Sequence, residues 1–346
     1  MNQDLLRIEN LQTFFYTHLG VAKAVDDLNL SLNKGQILGI VGESGCGKTV
    51  AALSILRLVK DPPGKIVGGR IFFEGTDLLR IPLPEMRNIR GNRISMIFQE
   101  PMTSLNPLFK VGDQIAEAFR LHKRLSRRAA LDKSIEILEM VGFPAPEKRV
   151  RDFPHQLSGG MRQRVMIAMA LSCEPKILIA DEPTTALDVT IQAQILDLML
   201  KLKEETGASI LLITHDLGVI AEMARFVLVM YTGKVMEYAD VSELFNNPLH
   251  PYTNGLLKSI PRADLVEQRG KPLDPIAGVV PGLSALPKGC KFHDRCSRKI
   301  RRCSLEEPPI VEVIPGHRCR CWLHDSSEEP NAGNRFLPRR GTSGIE

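Results

Sequence analysis

The chain has 346 residues, 43% of them hydrophobic and 25% charged, so a disordered or fibrous class is excluded for most of its length and about two domains are expected. The net charge of +5 is modest, and the basic stretches Arg120 to Arg128 and Lys288 to Arg302 do not alternate aromatics with their cations, so no nucleic-acid partner is expected. No basic segment followed by an apolar one opens the sequence, and nowhere do 18 uncharged apolar residues run together, so neither a secretion signal nor a membrane span is expected.

Residues 5 to 41 alternate apolar and polar between turn signals such as Asn33-Lys34-Gly35, which predicts antiparallel strands leading into the apolar run Ile37 to Val41. Next comes Gly42-Glu43-Ser44-Gly45-Cys46-Gly47-Lys48-Thr49, which satisfies G-x-x-x-x-G-K-[ST] between a strand and the helix-compatible run from Val50 to Leu58. Strand candidates follow at Gly68 to Gly75 and at Arg93 to Phe98, the latter ending at Gln99. Helical spacing takes over from Val111 to Val141, and Pro144, Pro146 and Pro154 close that region. Leu157-Ser158-Gly159-Gly160-Met161 then opens a helix reaching Ser172, and Ile177 to Glu182 is a buried strand ending in two carboxylates. Helix and strand recur at 190–205, 209–214, 216–224 and 226–231, an α/β alternation that predicts a mostly parallel sheet. After Gly233, prolines punctuate the chain and periodicity fades, placing a boundary near 245–260; residues 326–346 have the composition of a disordered tail.

In such a sheet ligands sit at the carboxyl ends of the strands, where Gly42, Asp181 and His215 all fall. The glycines allow close backbone approach to phosphates, Lys48 reaches the β- and γ-phosphates, and Thr49 offers a hydroxyl to Mg²⁺. Asp181 is placed to hold Mg²⁺, and Glu182 beside it to polarise an attacking water. Ser158 with Gly159 and Gly160 is either an ordinary capped helix start or a second anion site without a lysine of its own. Cys46 stands near a helix N-terminus, which lowers a thiol pKa, so alkylation is expected to stop activity and ATP to protect.

These motifs, taken in order, resemble the nucleotide-binding subunits of ATP-binding cassette transporters. Gly42 to Thr49 matches that family's Walker A motif, Gln99 its Q-loop, Leu157 to Met161 its signature, Ile177 to Glu182 its Walker B strand, Ala186-Leu187-Asp188 its D-loop and His215 its switch histidine. The resemblance implies a P-loop ATPase core over about residues 1–245, with an antiparallel β subdomain and an inserted helical subdomain at about 105–155 that docks on membrane subunits. It further implies a head-to-tail dimer sandwiching two ATP molecules. Each ATP lies against residues Gly42 to Val50 and Asp181 of one subunit and Ser158, Gly159 and Gly160 of the other. Gln99 senses the γ-phosphate and contacts the Mg²⁺, and His215 reaches the same phosphate. Phe15, or Tyr16 one strand position away, stacks on adenine.

Five of the seven cysteines lie between Cys290 and Cys321. Disulfides are disfavoured in a chain that consumes ATP and has no secretion signal, and C-x₅-C-x₆-C is not a usual zinc spacing. Asn247 to Thr253, Pro281-Gly282 and the Gly289 to Cys296 motif resemble the C-terminal extension of oligopeptide and dipeptide importer ATPases, expected here over 246–325 as an irregular, Cys-rich segment. That resemblance implies a 4Fe-4S cluster on Cys290, Cys296, Cys303 and Cys321, with zinc as the alternative and Cys319 as an extra thiol. It also implies a location peripheral to the cytoplasmic face of the inner membrane. The implied partners are two transmembrane permease subunits, a homologous second ATPase and an extracytoplasmic solute-binding protein. A nickel or other small-solute importer, or an ATPase acting on nucleic acid, are the competing functions.

Overall fold

The computed structural model describes residues 4–99, 104–185, 187–260 and 275–325. The N-terminal alternation folds as the antiparallel pair β1 (Leu6–Thr17) and β2 (Gly20–Leu32), and β3 (Ile37–Val41) then runs straight into the P-loop. β4 (Gly64–Phe73) and the short β5 (Thr76–Asp77) return to β1, giving a four-stranded antiparallel sheet in the order β2-β1-β4-β5. β6 (Ile94–Ile97), β7 (Ile177–Asp181), β8 (Ser209–Ile213) and β9 (Phe226–Tyr231) join β3 in a second sheet with purely parallel pairings.

That second sheet does not stop where the composition changes. β10 (Lys234–Asp240), β11 (Val311–Ile314) and β12 (His317–Cys319) extend it by antiparallel pairing to the order β11-β12-β10-β9-β3-β8-β7-β6. The sheet is therefore parallel in four of its seven pairings and antiparallel in three, because the C-terminal segment supplies edge strands instead of packing apart. β11 and β12 are too short to show a period of two, and they lay hidden among the prolines.

Alternation along the strands sorts their side chains onto two faces. Leu38, Ile40, Ile177, Ile179, Leu211, Ile213, Leu228 and Met230 share one core with the antiparallel sheet and with the P-loop helix Lys48–Ile55. Ile37, Leu178, Ala180, Ile210, Leu212, Val227 and Tyr231 share the other with the helices Val111–His122, Arg127–Met140 and Gly159–Leu171. Tyr252, Phe292, Cys290, Cys303 and Trp322 of the extension belong to that second core as well, so the described residues beyond 245 that form this core are built onto the main sheet. Buried ions fasten the same junction: Lys234 Nζ stands 3.1 Å from Asp26 and 2.8 Å from Glu307, and Arg320 Nη2 stands 2.9 Å from Asp27. The tail 326–346 and Ala186 of the D-loop lie outside the described residues.

Candidate nucleotide-binding site

The P-loop turns between β3 and its helix through backbone angles that favour glycine: φ is 152° at Gly42 and 105° at Gly47. A Cβ on Gly42 would lie 2.2 Å from the Met230 carbonyl oxygen, and one on Gly47 2.0 Å from that of Ala24. The loop is thereby pressed onto β2 and β9. Gly47→Ala is expected to cost about 1–3 kcal/mol of strain and to weaken ATP binding about tenfold or more, as read by thermal unfolding with and without ATP.

Lys48 is 5% exposed, and its ammonium donates to the carbonyls of Gly42 at 2.7 Å and Glu43 at 3.1 Å. Ser44 and Gly45 form the exposed tip of the loop. Cys46 overturns the expectation of a reactive thiol. It is fully buried, and desolvation raises its pKa despite Lys48 at 3.8 Å, because it sits in the core that includes Leu228 and Met230 of β9. Burial therefore outweighs the helix terminus.

The parallel strands deliver the other predicted residues to the same edge. Asp181 has the parity of Ile177 and Ile179, which faces the P-loop helix, and it is 1% exposed. Burial pushes its pKa up to about 6 against the pull of the Thr49 hydroxyl and Lys48, and neither carboxylate oxygen meets a donor in ordinary hydrogen-bond geometry. An orphaned carboxylate at this position fits a cation held with the help of Thr49. Glu182 follows at φ 47°, a left-handed turn that swings it away from the strand alternation. Its Oε2 accepts from Gln99 Nε2 at 2.8 Å and from Thr185 Oγ1 at 2.9 Å, and its Oε1 lies 3.2 Å from His215 Nδ1. Although burial raises its pKa, the bonds from His215 and Thr185 and the charge of Lys48 hold it below the usual carboxylate range. The structure thus joins Gln99, Glu182 and His215 in one constellation.

Ser158 caps the helix Gly159–Leu171, its Oγ accepting from Met161 N at 3.4 Å, and both Ser158 and Gly159 are exposed. Phe15 and Tyr16 part as strand alternation requires: the Phe15 ring rests over Gly64, while Tyr16 is 53% exposed. Sequence reasoning missed Thr185, which props Glu182, and Gln163, whose amide donates to the Pro183 carbonyl and ties the Ser158 helix to the turn after β7.

Cys290, Cys303, Cys319 and Cys321 are buried and Cys296 is half-buried. Among the described residues no group of three or more His, Cys, Asp or Glu side chains is gathered to hold a metal ion, so the expected cysteine site is not preformed. The thiols nevertheless feel one another. Burial, together with the charges of Cys303, Cys321 and Cys296, pushes the pKa of Cys290 up to about 12. Between neighbouring thiols the pKa of Cys319 is raised and that of Cys321 lowered, each chiefly through the other.

Comparison with known proteins agrees with this geometry. Residues 25–185 match the ABC transporter model, and residues 236–303 match that of the oligopeptide/dipeptide transporter C-terminal region. The dipeptide transport ATP-binding protein DppD of Bacillus subtilis is 49% identical over 327 residues, covering 94% of this chain and 97% of that protein. This chain belongs to the ABC transporter ATP-binding family. Another member of that family, the "Probable peptide ABC transporter ATP-binding protein" of Sinorhizobium fredii, is 52% identical over 318 residues, 92% of this chain and 94% of its own length. The ABC cassette MJ0796, solved as a dimer in a post-hydrolysis state bound to ADP and Pi, superposes with a TM-score of 0.62 at 27% identity over 68% of this chain and 98% of its own.

Proposed function

We propose that this chain hydrolyses ATP to drive import of di- or oligopeptides through a membrane permease. The observation that carries the reading is that one chain joins the Gln99–Glu182–His215 constellation beside a P-loop to an extension matched to oligopeptide and dipeptide transporters. Lys48 and the loop N–H groups bind the phosphates, and Thr49 and Asp181 hold Mg²⁺, which neutralises phosphate charge when bound. Glu182, kept ionised, orients and deprotonates the attacking water, while Gln99 and His215 fix its carboxylate and reach toward the γ-phosphate. Tyr16, the exposed ring of the pair, supplies the adenine-stacking face.

The helix start at Ser158, Gly159 and Gly160, exposed at its first two residues, offers helix N–H groups to a nucleotide held by a second ATPase, which supports a head-to-tail pairing. Two permease subunits and an extracytoplasmic binding protein complete the assembly. Among the described residues no helix is long and apolar enough to cross a membrane, so attachment at the cytoplasmic face runs through those subunits. Membrane extraction with a tagged chain tests this: two membrane subunits and a homologous ATPase should co-purify, and a peptide-loaded binding protein should stimulate hydrolysis. Stimulation by nickel or by nucleic acid instead would move the chain to one of the competing functions.

Cys290, Cys296, Cys303 and Cys321 are the ligands we assign to a 4Fe-4S cluster or zinc. Their support is the Gly289 to Cys296 motif, within residues 236–303 that match the oligopeptide/dipeptide transporter C-terminal region. Cys321 is taken as the fourth ligand and Cys319 as an extra thiol, as the resemblance to the importer extension implies. On anaerobically purified protein, iron and sulfide in equal amounts would establish the cluster, and zinc alone the alternative. Finding neither would remove the assignment.

A further inference from the structure

The P-loop is gripped from outside the ATPase core. Arg295, 252 residues along the chain from Glu43, lays its guanidinium on that carboxylate, with Nη1 2.7 Å from Oε2 and Nη2 2.9 Å from Oε1. Two parallel charge-assisted bonds fix direction as well as distance. The fork is itself held: the Arg295 side chain is 5% exposed, Nε donates to the Ala277 carbonyl at 3.0 Å, and the Tyr231 and Phe292 rings lie 5.8 and 5.9 Å away.

A second tie reaches the same residue through its backbone. The Glu43 N–H donates to Tyr252 Oη at 2.9 Å, and Tyr252 is fully buried between Tyr231 and Phe292, with ring centroids 4.8 and 5.3 Å away. On its other side the Glu43 carbonyl accepts from Lys48 Nζ. Side chain, N–H and C=O of one loop residue are all engaged, two of them by the extension and one by the lysine that meets phosphate.

We propose that Arg295 and Tyr252 are positioning residues for the nucleotide: the C-terminal extension holds the P-loop at Glu43 in the shape that receives the phosphates, and so sets the affinity for ATP. A loop fixed beforehand does not have to be ordered when ATP binds, so freeing it weakens binding more than it slows a bound nucleotide's hydrolysis. The inference rests on the P-loop binding ATP.

The test uses the full-length chain and reads the ATP dissociation constant, KM and kcat together with thermal unfolding. Arg295→Ala should weaken ATP binding and raise KM about fivefold to tenfold, with a smaller change in kcat at saturating ATP. Arg295→Lys, which keeps the charge but loses the fork, and Tyr252→Phe, which removes only the hydroxyl, should each give an intermediate loss in a folded protein. Adding Arg295→Ala to Glu43→Ala should cost nothing further. Unchanged ATP affinity with a lowered unfolding temperature would overturn the proposal, leaving a pair that only fastens the extension. Fully additive losses would overturn it too. A wild-type chain that binds no ATP would remove the nucleotide reading along with it, whereas wild-type binding matched by the variants would remove this inference alone.

Discussion

Glu182→Gln should bind ATP as the wild type does and turn over about 10²–10⁴ times more slowly, the range expected when a positioned general base is lost. That factor is about 2.7–5.4 kcal/mol in the barrier. The geometry explains why so small a change is so damaging. Glu182 already accepts from Gln99 and Thr185 on one oxygen and faces His215 on the other. Its depressed pKa means that the working form is the carboxylate, with lone pairs left for a water. An amide can keep its one oxygen for Gln99 and Thr185 and turn its NH2 toward His215, but it then offers no second acceptor to a water and cannot take its proton. Nothing in this change touches Lys48 or the loop backbone, so binding should survive. Hydrolysis and nucleotide affinity measured on the same preparation check both halves, and undiminished turnover would sink the role assigned to Glu182.

Glu237→Ala should lower the unfolding free energy by about 3–5 kcal/mol, the cost of breaking a buried, fully bonded charged group. Glu237 is completely buried, and its carboxylate accepts from Leu249 N at 2.7 Å, His250 N at 2.9 Å and His317 Nε2 at 2.7 Å. One side chain on β10 thus holds the turn before the helix Pro251–Lys258 and the start of β12. Removing it strands two buried donors and a partly buried one, whereas Glu237→Gln keeps one acceptor and should cost less. Burial alone would raise the pKa of Glu237, but the donors from His317, Leu249 and His250 hold it below the ordinary value. A depressed carboxylate pKa contributes stability above the unfolded value, near 4.5, which is lost as pH falls through the folded one. Urea midpoints should therefore converge for wild type and variant at acid pH and diverge toward neutrality. Equal midpoints at pH 7 would contradict this role.

The site was legible in the sequence wherever chemistry sits next to its own secondary structure. Gly42 to Thr49 lies between a strand and a helix, and Asp181 with Glu182 ends an apolar strand, so local pattern and proposed role coincide. The left-handed turn at Glu182, which lets adjacent carboxylates serve one site, has no residue signature, because glutamate gives no hint of positive φ. Cys46 was misread because the helix-terminus argument is local, while its burial comes from β9, far along the chain. The grip on Glu43 was hidden for a related reason. Arg295 and Tyr252 both fall in the stretches that resemble importer ATPases, yet pairing over 252 residues leaves no period to read. The same holds for Glu237 and His317, 80 residues apart, and for β11 and β12, whose short runs join the sheet only because tertiary packing brings them to β10.

The most direct measurement is peptide uptake into vesicles carrying this chain with its co-purified membrane subunits. With ATP on the side of this chain and binding protein on the other, a labelled dipeptide or short oligopeptide should accumulate in step with phosphate release, and Glu182→Gln should stop both. ATP hydrolysis without peptide movement, or peptide movement undiminished by Glu182→Gln, would contradict the account.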